Sequence, residues 1–170
     1  MEPRVRPAEK ADMEAVAAVY AHYVTETGIT FDEQVPDAAA WRTRLLDLRE
    51  RGLPFLVAET GGEVAGYALA APWKPKSAYR YTVEDSVYLA PGRTSAGLGT
   101  LLVGSLVEEC AEAGIRSIVA VIADTPDGTQ AAASIALHER HGFSHTGRLR
   151  GVGYKHGGWL DTVLMQRALT

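Results

Sequence analysis

The chain has 170 residues, of which 46% are hydrophobic and 22% charged, and its formal net charge is -4. Because this length supports one full hydrophobic core, we predict a single domain over residues 1–170. The hydrophobic content excludes a disordered or fibrous chain. The mild negative charge argues against general nucleic-acid binding, while leaving room for a local basic site.

The single cysteine and the N-terminal segment bear on where the protein works. Cys110 has no second cysteine to pair with, so an intramolecular disulfide is excluded, which suits a reducing cytoplasm. The first residues carry charges where a signal peptide needs an apolar core, and no apolar run approaches the ~20 residues of a membrane span. We therefore expect a cytoplasmic protein without membrane association.

The first half of the chain predicts a short strand, two helices and a β-hairpin. Val5 lies in the strand pattern, and apolar residues from Met13 to Val24 then recur at the spacing of one helical face. A second helix is predicted from Asp37, a suitable N-cap, to Gly52. The next two apolar runs flank the sequence TGGE, and a two-glycine connection of this kind predicts antiparallel strands.

The third quarter predicts a strand, a helix and a strand in succession. The sequence YRYTVEDSVYLA is rich in β-branched and aromatic residues, and alternation places Glu84 and Leu89 on opposite faces. A leucine stripe predicts a helix from Leu98 to Gly114, with Cys110 in the core. The uniformly apolar run SIVAVIA predicts a strand buried on both faces. The three elements form a βαβ unit, so the two strands are expected to be parallel.

The last quarter predicts a shorter helix that ends at Gly142, followed by two strands around the sequence KHGGWLD. We see no internal repeat, low-complexity tract or interdomain linker in the sequence. The predicted fold class is therefore α+β, a mixed α/β domain with the βαβ unit at its centre.

The loop between the central strand and helix has the composition of an anion site. A helix N-terminus combines unpaired N–H groups with partial positive charge. Gly97 and Gly99 leave space for a phosphate, while Thr94, Ser95 and Thr100 supply hydroxyl groups. A strand-to-helix turn also uses small residues for purely conformational reasons. The lysine of a Walker motif and the third glycine of a dinucleotide fingerprint are both missing, so neither nucleotide site is predicted.

The segment VYLAPGRTSAGLGTLL resembles the [QR]-x-x-G-x-[GA] segment of the GNAT superfamily of acetyl-CoA-dependent N-acetyltransferases, whose loop holds the CoA pyrophosphate. Four further segments are similar to the phosphinothricin and methionine sulfoximine acetyltransferases and extend the resemblance over nearly the whole chain: YAHYVTETGITFDEQVP, APWKPKSAYRYTVEDSVYL, SIALHERHGF and GYKHGGWLD. The resemblance implies a GNAT-like fold, with a mostly antiparallel sheet and one parallel strand pair splayed at the CoA site. It also implies acetyl-CoA as cosubstrate, no metal, a small amino-acid-like acceptor and a homodimer.

The resemblance assigns the cofactor to a strand end, the glycine loop and two helix starts. The implied cofactor-binding residues are Val87, Tyr88, Leu89, Arg93, Thr94, Ser95, Ala96, Gly97, Leu98, Gly99, Thr100, Ala131 and Ser134. Thr94 stands where the family has Gln or Arg, and Ala131 stands where it often has Asn. These departures could weaken or relocate contacts with CoA, but they leave the backbone amides of the helix start in place.

The resemblance also places a catalytic glutamate at Glu84. An α-amine has an ordinary pKa near ~8, so a general base is needed to expose its lone pair at neutral pH. On the residue pattern alone, Asp85 beside it is equally able to serve, and a water could relay the proton. The family further implies a bulge in this strand that aims an N–H near Leu89 at the thioester oxygen.

Two further residues bear on the route of transfer. His138 occupies the position of a tyrosine that is thought to protonate the leaving thiolate in many relatives, so it is a candidate acid or substrate-positioning residue. A lone helical histidine is also often structural. Cys110, buried by its stripe, is a poor nucleophile, which favours direct transfer over an acetyl-cysteine intermediate.

Basic residues just before the Glu84 strand indicate an acceptor with anionic parts. Lys74 and Lys76 flank Pro75, and the resemblance implies that this segment binds substrate. Phe31 is a further candidate for lining the substrate pocket. A solvated basic loop and a core aromatic would account for the same residues. We predict acetylation of the α-amine of a phosphinothricin-like or methionine sulfoximine-like acceptor, in resistance or detoxification. The alternatives are acetylation of a protein N-terminus or polyamine, and a non-catalytic CoA-binding regulatory module.

Overall fold

The computed structural model describes residues 2–94 and 97–169. The helices are α1 (Met13–Glu26), α2 (Ala38–Glu50), α3 (Leu98–Glu112) and α4 (Ala132–Arg140). The strands are β1 (Arg4–Pro7), β2 (Phe55–Thr60), β3 (Glu63–Pro72), β4 (Thr82–Leu89), β5 (Ser117–Asp124), β6 (Ser144–Lys155) and β7 (Gly158–Ala168). These elements follow the order that the sequence predicts.

The strands form one seven-stranded sheet in the order β1-β2-β3-β4-β5-β7-β6. The β4 and β5 strands run parallel, and the other neighbouring pairs are antiparallel. The α3 helix connects β4 to β5, so the predicted βαβ unit and the mixed α/β fold class are confirmed.

Local signals set the boundaries of the elements. The Asp37 side chain accepts a hydrogen bond of 2.8 Å from the Ala40 amide, which confirms Asp37 as the N-cap of α2. Gly61 and Gly62 both adopt positive φ between β2 and β3, as a two-residue hairpin turn requires. Short-range chemistry therefore accounts for these ends.

Helices cover the two faces of the sheet and create two hydrophobic clusters. Val57 and Tyr67 pack with α1 and α2, whereas Leu56 and Ala68 pack with α3 on the other face. Alternating direction along each strand explains this division. Cys110 lies fully buried in the α3 cluster, as predicted, and burial raises the pKa of its thiol to about 12.

The prediction that β5 is buried on both faces is only half right. Ile118, Ala120 and Ile122 are buried, but Val119 and Val121 between them are half-buried. Val121 lines a cavity, so its apolar character does not reflect full burial. Among the described residues, no helix has both the length and the apolar character needed to cross a membrane.

Candidate active site

The parallel strands separate at the centre of the sheet. The β4–β5 pairing covers only Thr82–Glu84 against Ser117–Val119. The β3–β4 pairing instead runs in one continuous register as far as Leu89 opposite Gly66. The expected bulge in β4 is therefore not seen between β3 and β4. The cleft arises because β5 leaves β4 after Glu84.

The separated edge of β4 presents backbone amides to this cleft. The Ala90 amide donates to the Ala65 carbonyl at 2.8 Å, and hydrogen-bonding direction alternates along an antiparallel strand. Val87 and Leu89 therefore direct their N–H groups away from β3, toward the side from which β5 has separated. Donors for a developing oxyanion are available there without a bulge.

A cavity of about 550 Å³ fills the cleft between β4, β5, α3 and α4. The predicted cofactor residues that line it are Val87, Tyr88, Leu89, Thr94, Gly97, Gly99, Thr100, Ala131 and Ser134. Arg93 and Leu98 do not line it. Arg93 forms an exposed ion pair with Glu63 at 3.3 Å, and Leu98 is buried in the core. Ser95 and Ala96 lie outside the described residues.

The two loop glycines are small for different reasons. Gly97 is the N-cap of α3 with φ of +74°, a left-handed conformation that favours glycine. A Cβ on Gly97 would meet no neighbour within 4 Å among the residues that the structure describes, whereas one on Gly99 would lie 3.2 Å from a methyl of Leu137. Gly99 therefore allows α3 and α4 to pack closely. The conformational explanation holds for Gly97, and a packing explanation holds for Gly99.

The start of α3 fits an anionic cofactor group. The first intrahelical donor after the N-cap is the Leu101 amide, which bonds to the Gly97 carbonyl at 3.3 Å, so the preceding amides face outward. The Thr100 hydroxyl and the Arg140 guanidinium, in the last turn of α4, belong to residues lining the same cavity. These residues could hold a diphosphate. The described ranges contain no cluster of three or more His, Cys, Asp or Glu placed to bind a metal.

Glu84 lies between the large cavity and a second cavity of about 260 Å³. Its side chain is half-buried. Burial raises the pKa of Glu84, the charge of Asp85 raises it further, and the charges of Arg44 and Lys74 oppose both effects. A carboxylate with a raised pKa, in reach of two cavities, has the properties of a general base.

The second cavity lies on the α1–α2 face of the sheet. It is lined by Tyr20, Thr30, Phe31, Asp32, Trp41, Arg44, Tyr67, Glu84, Ser86 and Tyr88. Phe31, which we predict to line the substrate pocket, thus lines this second cavity. Lys74, Pro75 and Lys76 line neither cavity, and the Lys74 ammonium lies 4.7 Å from the centroid of the Trp73 ring. The Lys74 charge nevertheless acts on Glu84.

Asp85 and His138 form a buried pair beneath the large cavity. His138 Nε2 lies 2.7 Å from Asp85 Oδ2, and its Nδ1 lies 2.7 Å from the Ser134 carbonyl oxygen. A carbonyl only accepts, so Nδ1 carries a proton. Burial alone would lower the pKa of His138, but the hydrogen bond and charge of Asp85 outweigh it and raise that pKa. Glu84 and Asp85, which the residue pattern alone does not distinguish, therefore occupy different environments.

Several residues at the two cavities were not predicted from the sequence. Arg44 and Trp41 sit one turn apart on α2, and Tyr67 lies in β3, so no local motif links them to Glu84. Arg140 follows the predicted His138 by two residues but carries no signal of its own. The one sequence signal for this group is the spacing of Trp41 and Arg44, which places a charged residue one helical turn from a tryptophan.

Comparisons with known proteins agree with this geometry. Residues 5–164 match the model of the acetyltransferase (GNAT) domain family. The chain is 42% identical to phosphinothricin N-acetyltransferase of Alcaligenes faecalis over 165 residues, covering 97% of this chain and 82% of that protein. It is 38% identical to the L-methionine sulfoximine/L-methionine sulfone acetyltransferase of Salmonella typhimurium, covering 97% and 94%.

A solved structure has the same overall fold. The GNAT superfamily phosphinothricin acetyltransferase of Sinorhizobium meliloti, in complex with acetyl-CoA, aligns with a TM-score of 0.92 and 38% identity. The alignment covers 99% of this chain and 89% of that one. The separated parallel strands, the cavity at the start of α3 and these matches lead to one conclusion. The chain belongs to the GNAT acetyltransferase family.

Proposed function

We propose that this acetyltransferase transfers the acetyl group of acetyl-CoA to the α-amine of a small amino-acid analogue of the phosphinothricin or methionine sulfoximine type. The observation that carries the proposal is the position of Glu84, which lines both cavities. The large cavity suits the cofactor, because it ends at the open amides of α3. The small cavity suits an acceptor whose amine lies beside Glu84.

The residues of the chain divide the reaction between them. When bound, acetyl-CoA supplies an acetyl group activated as a thioester. Glu84 accepts the ammonium proton of the acceptor, directly or through water, so that the nitrogen lone pair can form the new C–N bond. The amides of Val87 and Leu89 stabilise negative charge on the thioester oxygen. The C–S bond would break with its electron pair on sulfur, and the thiolate would take up the second proton, which the nitrogen releases as the amide forms.

The hydrogen bonds of His138 support a positioning role for this residue. Both ring nitrogens have partners within the protein, and donation to a thiolate would first break the bond to Asp85. Cys110 remains buried with a raised pKa, so direct transfer is favoured over an acetyl-cysteine step. A role in resistance, a cytoplasmic location and a homodimer complete the proposal.

The test is Glu84→Gln, assayed by thiol release with acetyl-CoA and with phosphinothricin, methionine sulfoximine, a polyamine and an N-terminal peptide as acceptors. We expect kcat/KM to fall by about 10²–10⁴-fold while acetyl-CoA affinity, measured by calorimetry, is retained. A non-catalytic CoA-binding module would show no turnover in the native protein either. Preference for the polyamine or the peptide over both amino-acid analogues would contradict the proposed acceptor.

A further inference from the structure

Two buried polar atoms lack partners at the small cavity. In the part of the chain that the structure describes, Trp41 Nε1 and Tyr67 Oη make no hydrogen bond, although the two residues are 3% and 0% exposed. Buried polar groups are normally hydrogen-bonded, because leaving one unpaired is unfavourable. Both residues line the same cavity beside Glu84. A ligand with acceptor atoms would provide the missing partners.

Arg44 adds a positive charge to these two donors. Its guanidinium carbon lies 5.5 Å from the centroid of the Trp41 ring, a distance at which cation–π attraction holds the side chain over that ring. On the same helix, Arg42 pairs with Glu14 at 3.6 Å. No such protein partner is found for Arg44 among residues 2–94 and 97–169. Its charge is therefore available to a ligand.

The sheet and helices hold the donors in one rigid row. Trp41 and Tyr67 have ring centroids 5.4 Å apart, and Tyr67 stacks on Tyr88 at 5.6 Å. Tyr67 lies opposite Tyr88 in the β3–β4 register, and Tyr88 shares the strand face of Glu84. Burial raises the pKa of Tyr67 well above its ordinary value, so its phenol remains a proton donor. The donor groups of Trp41, Arg44 and Tyr67 thus line the same cavity as the Glu84 carboxylate.

We propose that Arg44, Trp41 Nε1 and Tyr67 Oη form an oxyanion-binding subsite for the acceptor, with the reacting amine held at Glu84. This inference rests on the proposed function and specifies how its acceptor is recognised. The cavity is lined by one cation, Arg44, and two anions, Asp32 and Glu84, which suits a zwitterionic amino acid. The oxyanion is either the α-carboxylate or an anionic side-chain group, since the same donors suit both.

The test compares Arg44→Gln, Tyr67→Phe and Trp41→Phe, with Arg42→Gln as the matched control on the same helix. We expect each cavity variant to raise the KM for phosphinothricin while kcat changes little. The rise should be about tenfold or more for Arg44→Gln, whose hydrogen bond is charge-assisted, and smaller for the other two. Tyr67→Phe should not lower the unfolding temperature, since its hydroxyl has no protein partner to lose. Arg42→Gln should leave KM unchanged.

Three acceptors identify the oxyanion. Phosphinothricin carries a carboxylate and a phosphinate, L-methionine sulfone carries only the carboxylate, and its carboxamide carries neither. If the carboxylate binds the subsite, Arg44→Gln raises KM for both acids and leaves the amide unaffected. If the side-chain oxyanion binds there, only phosphinothricin is affected. Unchanged KM for every acceptor overturns the subsite.

Failure of the proposed function is distinguishable from failure of this inference. If the native protein acetylates none of these acceptors, the proposed function is wrong, and calorimetry with phosphinothricin then decides the subsite. Binding that is weakened by Arg44→Gln but not by Arg42→Gln supports it. Absence of binding, or equal binding by both variants, overturns it.

Discussion

The two cavities on either side of β4 differ in whether backbone groups or side chains form them. The large cavity uses backbone: the separated edge of β4, the amides at the start of α3, and glycine at positions 97 and 99. The small cavity uses side chains, with an aromatic row and one arginine brought together from α2 and β3. A backbone site tolerates changes of side chain, whereas a side-chain site can be altered by one substitution. The cofactor end of a family can therefore stay constant while its acceptor end changes.

The largest expected effect concerns β4, the element that the cavities share. Asp85→Asn removes one partner of the buried pair with His138. We expect the unfolding free energy to fall by about 3 kcal/mol, the lower end of the usual cost of breaking a buried ion pair, because His138 can lose its proton and avoid an unpaired charge. The pKa of His138 is raised, so the pair stabilises the fold fully below the ordinary pKa of 6.5, and its contribution declines as pH rises through the folded-state value.

Urea unfolding at pH 6 and pH 9 checks this expectation. The difference in unfolding free energy between the native protein and Asp85→Asn should be smaller at pH 9 than at pH 6. An equal difference at both pH values would show that the variant acts through packing and not through the charge on His138.

Gly97→Val tests whether the large cavity depends on backbone conformation. A β-branched residue at φ of +74° is strained by about 1–2 kcal/mol, and distortion of the α3 start should weaken acetyl-CoA binding by about tenfold. Gly114→Val is the matched control, since Gly114 has a φ of +83° just beyond the other end of the same helix. Calorimetry should show weaker binding for Gly97→Val alone. Equal losses would attribute the effect to helix stability.

The pH dependence of activity links the two cavities. A general base must be ionised, so kcat/KM should rise with pH through the pKa of Glu84, which burial holds above its ordinary value of 4.5. The charge of Arg44 opposes that rise in pKa, so Arg44→Gln should move the acidic limb of the profile to higher pH. Arg42→Gln should leave the limb in place. A limb that moves equally in both variants would exclude a specific effect of Arg44.

The smallest expected effect is that of Gly99→Ala. The new Cβ would lie 3.2 Å from Leu137, and this crowding opposes the gain in helix propensity of about 1 kcal/mol. We therefore expect a net change in unfolding free energy of less than about 1 kcal/mol. Acetyl-CoA affinity should also fall less than in Gly97→Val. A larger loss of affinity would mean that Gly99 itself makes room for the cofactor.

The sequence predicted the large cavity better than the small one. A strand, a small-residue loop and an amphipathic helix are contiguous, so local pattern and family resemblance together pointed to Gly97 and Thr100. The substrate residues were predicted from a basic loop, yet Lys74 and Lys76 line neither cavity. Arg44, which does line one, lies on a helix whose pattern indicates only that Trp41 and Leu45 face the core. No sequence pattern indicates that residues as far apart as Arg44 and Tyr67 line the same cavity.

By itself, the sequence determined the elements, their order, the parallel strand pair and the burial of Cys110, because hydrophobic period, glycine and capping residues act over a few positions. Tertiary structure alone decided that Asp85 is paired with His138 while Glu84 faces two cavities. Two neighbours on a strand point to opposite faces, and only the elements packed against each face determine their solvation and partners.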